Sequence, residues 1–370
     1  PAASVDEAID IQADVFMNPL FDRDEIEREK QVVIQEMRRK LDQPHAFARE
    51  KLFELAFERH RMRRWRIGTE QGILPLTRED IVGFYERNYA PTNAIVAVSG
   101  SFDPDRAMGA IVRLAEAGPL LDAGPGEPAQ SRPKMARLTG DLSQVIVKMG
   151  FHTVDVLHDD HAALACLNIL LGKGRSSRLY KSIKEEKQLA HGIGTSQFGF
   201  QDVGFFTVEA EVKPEEISKV EEEIWVELDR LMKDPPTAEE MAKIHAIVES
   251  NFYREKEDIL GQAYGASYFE SLGGVEKMDE YVRKLRAQTA SSIMRAADRY
   301  LRFDNMSLLE YVPSSLGEGA DAQNRLESLQ KRVARRGSGA EPVEIPEHPE
   351  PGAIVWETAP AKPHAPKVTR

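Results

Sequence analysis

Two carboxylates, Glu29 and Glu36, lie seven residues apart in a segment whose apolar residues recur at helical spacing. Seven residues bring an α-helix back to within about 20° of the same face, so the two side chains share a side. Ile26, Val33 and Met37 fall on that side too, which predicts an apolar stripe that carries two charges. Two interpretations follow: surface acids whose stems border the core, or a metal ligand with a supporting carboxylate. Spacing alone favours the surface acids.

Three other segments could carry chemistry, and for each of them the residue pattern favours a structural role. His158 and His161 are spaced for a metal, but they precede a predicted helix and are more typical of a solvated helix cap. The basic run at 59–66, which includes a Trp, could bind nucleic acid, although a solvated turn is favoured in an acidic protein. The segment at 172–174 reads Gly-Lys-Gly and predicts a tight turn, because the residues of a phosphate loop do not follow it.

Length and composition bound the class of protein. The chain has 370 residues, enough for two to three domains, and 41% of them are hydrophobic and 30% charged, which is typical of a globular protein. Lys and Arg number 49 against 61 Asp and Glu, so 49 − 61 gives a net charge of −12 and argues against nucleic-acid binding as the main role. The single cysteine, Cys166, excludes an intrachain disulfide, and no apolar run is long enough to predict a membrane span.

Helix signals recur along the first hundred residues. They predict a helix that begins at Ser4, one that begins at Asp22 or Asp24 and ends near Gln43, and one that begins at Thr77. The apolar, β-branched run at 93–100 predicts a buried strand, and the run at 144–150 predicts another. The chain therefore mixes helices and strands in an α+β order.

An internal repeat is the most informative pattern. Four residues recur at a constant offset of 212, namely Thr77, Ile81, Arg87 and Asn93 as Thr289, Ile293, Arg299 and Asn305. Upstream, Glu25-Ile26 recurs as Glu240-Met241 at an offset of 215. Two copies of one α+β unit are predicted. The strand and helix material at 144–209 has no counterpart before the first copy, so we expect that copy to be truncated at its N-terminus.

These patterns divide the chain into four parts. We predict the later part of a first domain at 1–117, a linker at 118–136, a second domain at 137–315 and a Pro- and Glu-rich linker or tail at 316–370. The linker is assigned because 118–132 is rich in Gly and Pro. The tail lacks the apolar residues that a core needs, apart from one short predicted helix.

Three stretches, in order along the chain, resemble the pitrilysin and insulinase family of zinc metallopeptidases, which includes the mitochondrial processing peptidases. The first is 21–37, around Glu36, and the second is 76–93. The third contains Gly172-Lys-Gly-Arg-Ser-Ser-Arg-Leu-Tyr180 and Ile183-Lys-Glu-Glu-Lys-Gln-Leu-Ala-His191. The resemblance covers about residues 4 to 315. It implies two consecutive α/β roll domains of the processing-peptidase type, a duplicated unit whose first copy is N-terminally truncated.

The resemblance also implies a metal site. Glu36 matches the family's distal zinc ligand, and Glu29 matches the supporting carboxylate two turns earlier. The family completes its site with an inverted His-x-x-Glu-His helix, a pattern that the nine histidines of this chain never form. We therefore expect the remaining zinc ligands outside this chain, on a preceding segment, unless the site has degenerated. The chain alone is expected to be inactive and to bind zinc poorly.

The implied function is zinc-dependent endopeptidase cleavage of peptides or unfolded segments, and the alternative is a non-catalytic scaffold or assembly subunit of the same family. We expect a second peptidase-like unit, in the same polypeptide or as a partner subunit, and neither nucleic-acid binding nor a membrane span. At the family's substrate-binding Arg and Tyr, seven residues apart, this sequence has Lys184 and His191. An exported or periplasmic bacterial setting is expected, although the sequence does not fix the compartment.

Overall fold

The computed structural model describes residues 4–112, 126–317 and 322–333. Its strands form one five-stranded mixed sheet in the described residues. The strands are β1 Lys134–Gly140, β2 Val145–Thr153, β3 Ala190–Gly199, β4 Gly204–Val212 and β5 Met306–Pro313. Their order across the sheet is β1-β5-β2-β4-β3. The β1–β5 pair is parallel and the other three pairs are antiparallel.

Thirteen α-helices lie in the described residues. They are α1 Val5–Met17, α2 Arg23–Leu41, α3 Pro44–Ala56, α4 Glu70–Ile73, α5 Arg78–Asn88, α6 Pro104–Val112, α7 Asp159–Gly172, α8 Ile217–Lys233, α9 Ala238–Glu257, α10 Ile259–Ser271, α11 Lys277–Arg286, α12 Ala290–Tyr300 and α13 Ala322–Val333. A π-helix spans Tyr180–Glu186. None of these helices is both long and apolar enough to cross a bilayer.

Helices cover both faces of the sheet. Alternate residues of β2, beginning with Val145 and Val147, join the main core with α7, α8, α9 and α12. The intervening residue Ile146 points to the opposite face, where α3 contributes Leu52 and Phe53 to a second core. Helix α3 lies in the predicted first domain and most of the sheet in the predicted second domain, so this second core joins the two predicted domains. The α+β class is confirmed.

Several helices of the structure reproduce the predicted repeat. Helices α5 and α12 have the same length, and both their first and last residues are 212 apart. Each is followed by a short 3-10 helix, at Pro91–Asn93 and Phe303–Asn305, again at an offset of 212. Helices α2 and α9 begin 215 residues apart. Thr77 and Thr289 each accept a hydrogen bond from the backbone N–H three residues later, which explains why the two helices begin at equivalent positions.

The strand predicted at 93–100 is the part of the repeat that the structure contradicts. Its counterpart in the second unit is β5, which lies between β1 and β2. Residues 94–99 pair with no strand in the described part of the chain, and the side chains of Ile95 and Val96 are 43% and 59% exposed. The apolar run predicted burial correctly only for β5, which has a strand on either side, because a strand forms by pairing with its neighbours and 94–99 have none among the described residues. In the structure, 94–99 instead border a groove of about 610 Å³ beside α10.

Two elements lie partly or wholly in the segments that we predicted as linker and tail. Strand β1 begins at Lys134, three residues before the predicted start of the second domain, and pairs with β5. Helix α13 falls in the predicted tail, where Leu326 and Leu329 are buried in the main core. Residues 113–125 and 334–370, which hold most of the remaining linker and tail, lie outside the described residues. The division into two domains stays a prediction.

Candidate metal-ligand site on helix α2

Asp22 fixes the beginning of helix α2. Its carboxylate accepts hydrogen bonds from the backbone N–H groups of Asp24 and Glu25, at 2.9 and 3.1 Å. The preceding residue, Phe21, has a positive φ of 49°, and its carbonyl accepts a hydrogen bond of 2.8 Å from Arg78 Nε at the start of α5. The predicted helix start at Asp22 is confirmed, and α2 is held against α5 from its first turn.

The inner side of α2 packs on a small core. Ile34 and Met37 are buried there together with Ile73 of α4. One turn earlier, the buried ammonium of Lys30 donates a hydrogen bond of 3.0 Å to the carbonyl of Leu76. These contacts set which side of the helix faces inward.

Glu29 and Glu36 lie at the edge of that inner side, and both are exposed. The stripe that we predicted to carry them is only partly buried, because Ile26 and Val33 are half-buried and Met37 alone is buried. The predicted apolar stripe is therefore present, but it is buried only at Met37, and the two carboxylates on it are exposed. Seven-residue spacing identified the shared side correctly: Met37 on that side is buried in the small core with Ile73 of α4, whereas Glu29 and Glu36 are exposed.

Glu29 borders a largely apolar groove of about 490 Å³ between α2 and α5. The groove is formed mainly by apolar side chains, including Leu20, Phe21, Ile26, Val33, Leu76 and Ile81. A carboxylate at the rim of an apolar groove can reach both solvent and whatever fills the groove.

Glu36 makes no hydrogen bond or ion pair within the described residues. A carboxylate oxygen is a suitable zinc ligand, so the side chain fits that role. The described parts of the chain nevertheless contain no group of three His, Cys, Asp or Glu side chains that could hold a metal ion. The described residues therefore do not form a three-ligand site, and no catalytic step through a metal follows from them alone.

The two histidines of the 158–161 segment have different roles. His158 Nδ1 accepts a hydrogen bond of 3.0 Å from the backbone N–H of Asp160 at the beginning of α7, which confirms the predicted cap. His161 is buried beside Tyr281 rather than solvated, and burial lowers its pKa to about 4. Neither histidine is placed as a metal ligand.

Three further histidines are occupied by packing or by single acids. His45 pairs with Glu209, and His60 Nε2 lies 3.0 Å from the Asp202 carboxylate. His152 packs against Phe57 with 4.6 Å between ring centroids, and burial lowers its pKa to about 4. None of the three lies in a ligand cluster of the described residues.

Lys184 and His191 lie around the end of the π-helix. Lys184 is half-buried, and its Nζ is 5.0 Å from the centre of the Tyr180 ring. A hydrogen bond from the Arg175 side chain lowers the pKa of Tyr180, and the charge of Lys184 acts in the same direction. His191 is the second residue of β3 and is exposed. The structure thus gathers two cations around one phenol.

The turn predicted at 59–66 is present, and it is anchored by a residue that the sequence did not single out. Glu127 lies in the predicted linker, yet its carboxylate is buried and accepts backbone hydrogen bonds from the turn. A lone acid in a Gly- and Pro-rich stretch carries no periodicity, so no pattern pointed to it.

Two family models match the chain. One, described as "Insulinase (Peptidase family M16)", matches residues 1–70, and a second, described as "Peptidase M16 inactive domain", matches residues 75–248. The first match contains Glu29 and Glu36, and the second contains Lys184 and His191.

Curated relatives carry the description "uncharacterized zinc protease". The relative from Rickettsia felis is 25% identical over 268 residues, which cover 70% of this chain and 65% of its own length. The relative from Mycobacterium leprae is 31% identical over 216 residues, 56% of this chain and 48% of its own. The chain thus spans from about half to slightly under two thirds of the length of these two relatives.

Solved structures share the fold. A protease from Helicobacter pylori superposes with a TM-score of 0.77 at 25% identity and covers 84% of this chain and 77% of its own. A structure from Pseudomonas fluorescens described as a peptidase M16 inactive domain gives a TM-score of 0.70 at 18% identity, covering 83% of this chain and 74% of its own. The second likeness concerns the fold alone.

Proposed function

Because this chain belongs to the M16 insulinase family of peptidases, we propose that it is part of a zinc-dependent endopeptidase in which Glu36 is the distal zinc ligand. The observation that carries the proposal is the position of Glu36. It is an exposed carboxylate on a helix whose start and inner side are fixed, and it has no partner among the described residues. Glu29, two turns earlier, is the supporting carboxylate.

The chemistry that zinc supplies in such a site is polarisation of the scissile carbonyl and activation of water. This chain's own contribution is to hold one ligand at a fixed position. The Asp22 cap and the Ile34, Met37 and Ile73 contacts keep α2 in place, so Glu36 projects from a rigid helix. The remaining ligands come from outside this chain, and the substrate is a peptide or an unfolded segment of a protein.

A second peptidase-like unit belongs to the same proposal. Lys184 and His191 replace the Arg and Tyr that the family resemblance places beside the zinc. Lys lacks the planar fork of Arg, and His brings a proton that titrates near neutrality. The complementary Arg and Tyr are therefore contributed by another unit, in the same polypeptide or as a partner subunit.

The test uses the longest natural polypeptide that contains this chain. We expect Glu36→Gln to remove most bound zinc, measured by elemental analysis, and to abolish cleavage of an unfolded protein substrate. Glu86→Gln, which changes an exposed acid of α5 without a partner in the described residues, is the matched control and should change neither. Full zinc content in Glu36→Gln contradicts the proposed ligand. So does chelator-sensitive activity from the 370-residue chain alone.

The alternative function is a non-catalytic scaffold, and the match of 75–248 to a model described as an inactive domain favours it. A scaffold predicts that the longest natural polypeptide contains no zinc and cleaves nothing. In that case neither Glu36→Gln nor Glu86→Gln would change zinc content or cleavage. The function would then have to be measured as assembly with partner subunits.

A further inference from the structure

Five arginines are exposed in one short surface loop of a chain whose net charge is −12. We call residues 59–66 the arginine loop; its arginines are Arg59, Arg61, Arg63, Arg64 and Arg66. The loop joins α3 to the segment before α4 and includes a 3-10 helix at Arg61–Arg63. Positive charge is therefore concentrated at one place on an acidic molecule.

Only one of the five guanidinium groups forms an ion pair with a described residue. Arg61 pairs with Asp202 at 3.1 Å. No carboxylate of the described residues lies within 4.0 Å of the other four guanidinium groups. Like charges on one loop repel each other, and an anionic partner relieves that repulsion.

The backbone of the arginine loop is nevertheless held firmly. The buried carboxylate of Glu127 accepts hydrogen bonds from the N–H groups of Glu58, Arg59 and His60, at 2.6, 2.9 and 2.8 Å. Hydrogen bonds to a carboxylate are about twice as strong as neutral ones. Glu127 thus fixes the direction in which the loop leaves the fold.

Two aromatic residues fix the rest of the loop. The buried ring of His60 accepts a hydrogen bond of 3.2 Å from the Met62 N–H. Trp65 packs edge-on against Phe47, with 6.0 Å between the ring centroids. The ammonium of Lys51 lies 5.5 Å from the centre of the Trp65 ring. The guanidinium groups are therefore displayed from a preformed backbone, which lowers the entropy cost of binding a partner.

The arginine loop and helix α2 share a support. Ile67, the residue after the loop, packs on the same small core as Ile34, Met37 and Ile73. A polypeptide held by the loop is consequently held to the body that carries Glu36.

We propose that the arginine loop binds an acidic segment of the polypeptide that this peptidase cleaves, at a site separate from Glu36. The identification of that polypeptide as the substrate rests on the proposed function. Guanidinium groups bind carboxylates in a bidentate manner, which suits a run of Asp and Glu. Nucleic acid suits the loop less, because the one aromatic ring it could stack on a base, Trp65, is already in contact with Phe47 and Lys51.

The test measures binding to the full 370-residue chain by fluorescence anisotropy, with a labelled Asp- and Glu-rich peptide and a Lys-rich peptide of the same length. We expect the acidic peptide alone to bind, and its affinity to fall at least about threefold between 50 and 200 mM salt. The triple variant Arg63→Glu, Arg64→Glu, Arg66→Glu should weaken binding at least about tenfold, because three exposed charge pairs are lost and three repulsions gained.

The matched control changes the net charge equally at other places. Lys213, Lys233 and Arg283 are exposed and have no carboxylate within 4.0 Å among the described residues. Their triple replacement by Glu should change the affinity less than about twofold, since the loop is untouched. An equal loss in both triple variants, with both folded by circular dichroism, would show an effect of net charge and overturn the proposal. If the Arg→Glu variant does not fold, Arg63→Ser, Arg64→Ser, Arg66→Ser replaces it, with an expected loss of at least about threefold.

Two further outcomes would overturn the proposal by naming a different occupant. A uridine oligonucleotide that binds more tightly than the acidic peptide would show a nucleic-acid surface. The chain's own tail is the other candidate, because residues 341–357 contain five Glu and no Lys or Arg. If replacing those five Glu by Gln raises the affinity for the acidic peptide more than fivefold, the tail is the occupant of the arginine loop. The binding assay contains no zinc. If Glu36 proves not to be a zinc ligand, the binding result still stands, and only the identification of the bound polypeptide as a substrate is lost.

Discussion

Glu29 of α2 and Ile244 of α9 occupy the same position of the duplicated unit, 215 residues apart. Ile244 is 1% exposed and belongs to the main core. Glu29 is exposed and borders the groove between α2 and α5. One backbone position is therefore apolar and covered in the second unit, but charged and open in the first.

The two residues should differ in their effect on stability. We expect Ile244→Ala to lower the free energy of unfolding by about 2–5 kcal/mol, because it leaves a cavity in the core. Glu29→Ala should change it by less than about 0.5 kcal/mol, because the side chain has no partner in the described residues. Urea unfolding followed by circular dichroism measures both. A loss above 1 kcal/mol in Glu29→Ala would mean that Glu29 supports the fold of this chain.

Two buried histidines should make the fold sensitive to acid. Burial lowers the pKa of His152 and of His161 from 6.5 to about 4. The unfolded chain takes up these protons below pH 6.5 but the folded chain does not, so stability is complete above pH 6.5 and is lost as the pH falls toward 4. The shifts correspond to at most about 3 kcal/mol per histidine.

The double variant His152→Phe, His161→Phe should therefore unfold at a lower pH than the natural chain. An acid titration followed by near-UV circular dichroism measures the midpoint. Replacement of the exposed His191 by Phe serves as the control and should leave the midpoint in place. An unchanged midpoint in the double variant would show that other groups cause acid unfolding.

Two buried acids, Glu221 and Glu310, should lower the free energy of unfolding as the pH rises. Burial, and then the neighbouring carboxylate of Glu310, raise the pKa of Glu221 well above its usual value. Glu310 in turn accepts hydrogen bonds from Arg137 of β1 and Arg325 of α13, at 2.5 and 2.9 Å. The folded chain holds the Glu221 proton more tightly than the unfolded chain. The stability from this group is thus complete below about pH 4.5 and declines as the pH rises through its folded pKa.

Glu221→Gln keeps a neutral hydrogen-bond donor at the same position. It should therefore remove the loss of stability with rising pH. We expect the variant to gain stability over the natural chain at pH 8, by about 1.4 kcal/mol for each unit by which the pKa is raised. At pH 4.5 the two proteins should be nearly equal. Urea unfolding at both values measures the difference, and an equal difference at the two values would contradict a protonated Glu221.

Lys184 and His191 should matter little to catalysis in the complete enzyme if the proposed function holds. We expect Lys184→Ala and His191→Phe each to lower kcat/KM by less than about threefold, because the substrate-binding Arg and Tyr belong to another unit. Replacement of an Arg and a Tyr seven residues apart in that unit should cost far more. A large loss in His191→Phe, with no such pair elsewhere, would show that this unit works alone.

The repeat carried most of the sequence-based prediction of the fold. The constant offset of 212 placed α5 and α12 at equivalent positions, because local signals such as Thr77 and Thr289 recur at the helix starts. Asp22 likewise fixed the start of α2. Caps act within one turn, so the sequence contains all the information needed to place them.

Features that depend on contacts between distant parts of the chain could not be predicted from such local sequence signals. The apolar run at 94–99 has the composition of a strand but lies unpaired in the described structure. The orientation of Glu36 depends on how α2 packs against α4, and Glu127 reaches the arginine loop from 67 residues away. Periodicity along one segment does not reveal which neighbour packs on it.

The parallel pairing of β1 with β5 also bears on how the protein is made. Lys134 pairs with Ser307, and 307 − 134 gives a sequence separation of 173 residues. At a synthesis rate of about 5–20 residues per second, roughly 10 to 35 s pass between the translation of the two strands. Until β5 leaves the ribosome, both β1 and the adjoining edge of β2 lack their partner. The sheet of the second unit is therefore completed only after Pro313 has been translated, and a nascent chain that has not reached this residue exposes strand edges that a chaperone would have to cover.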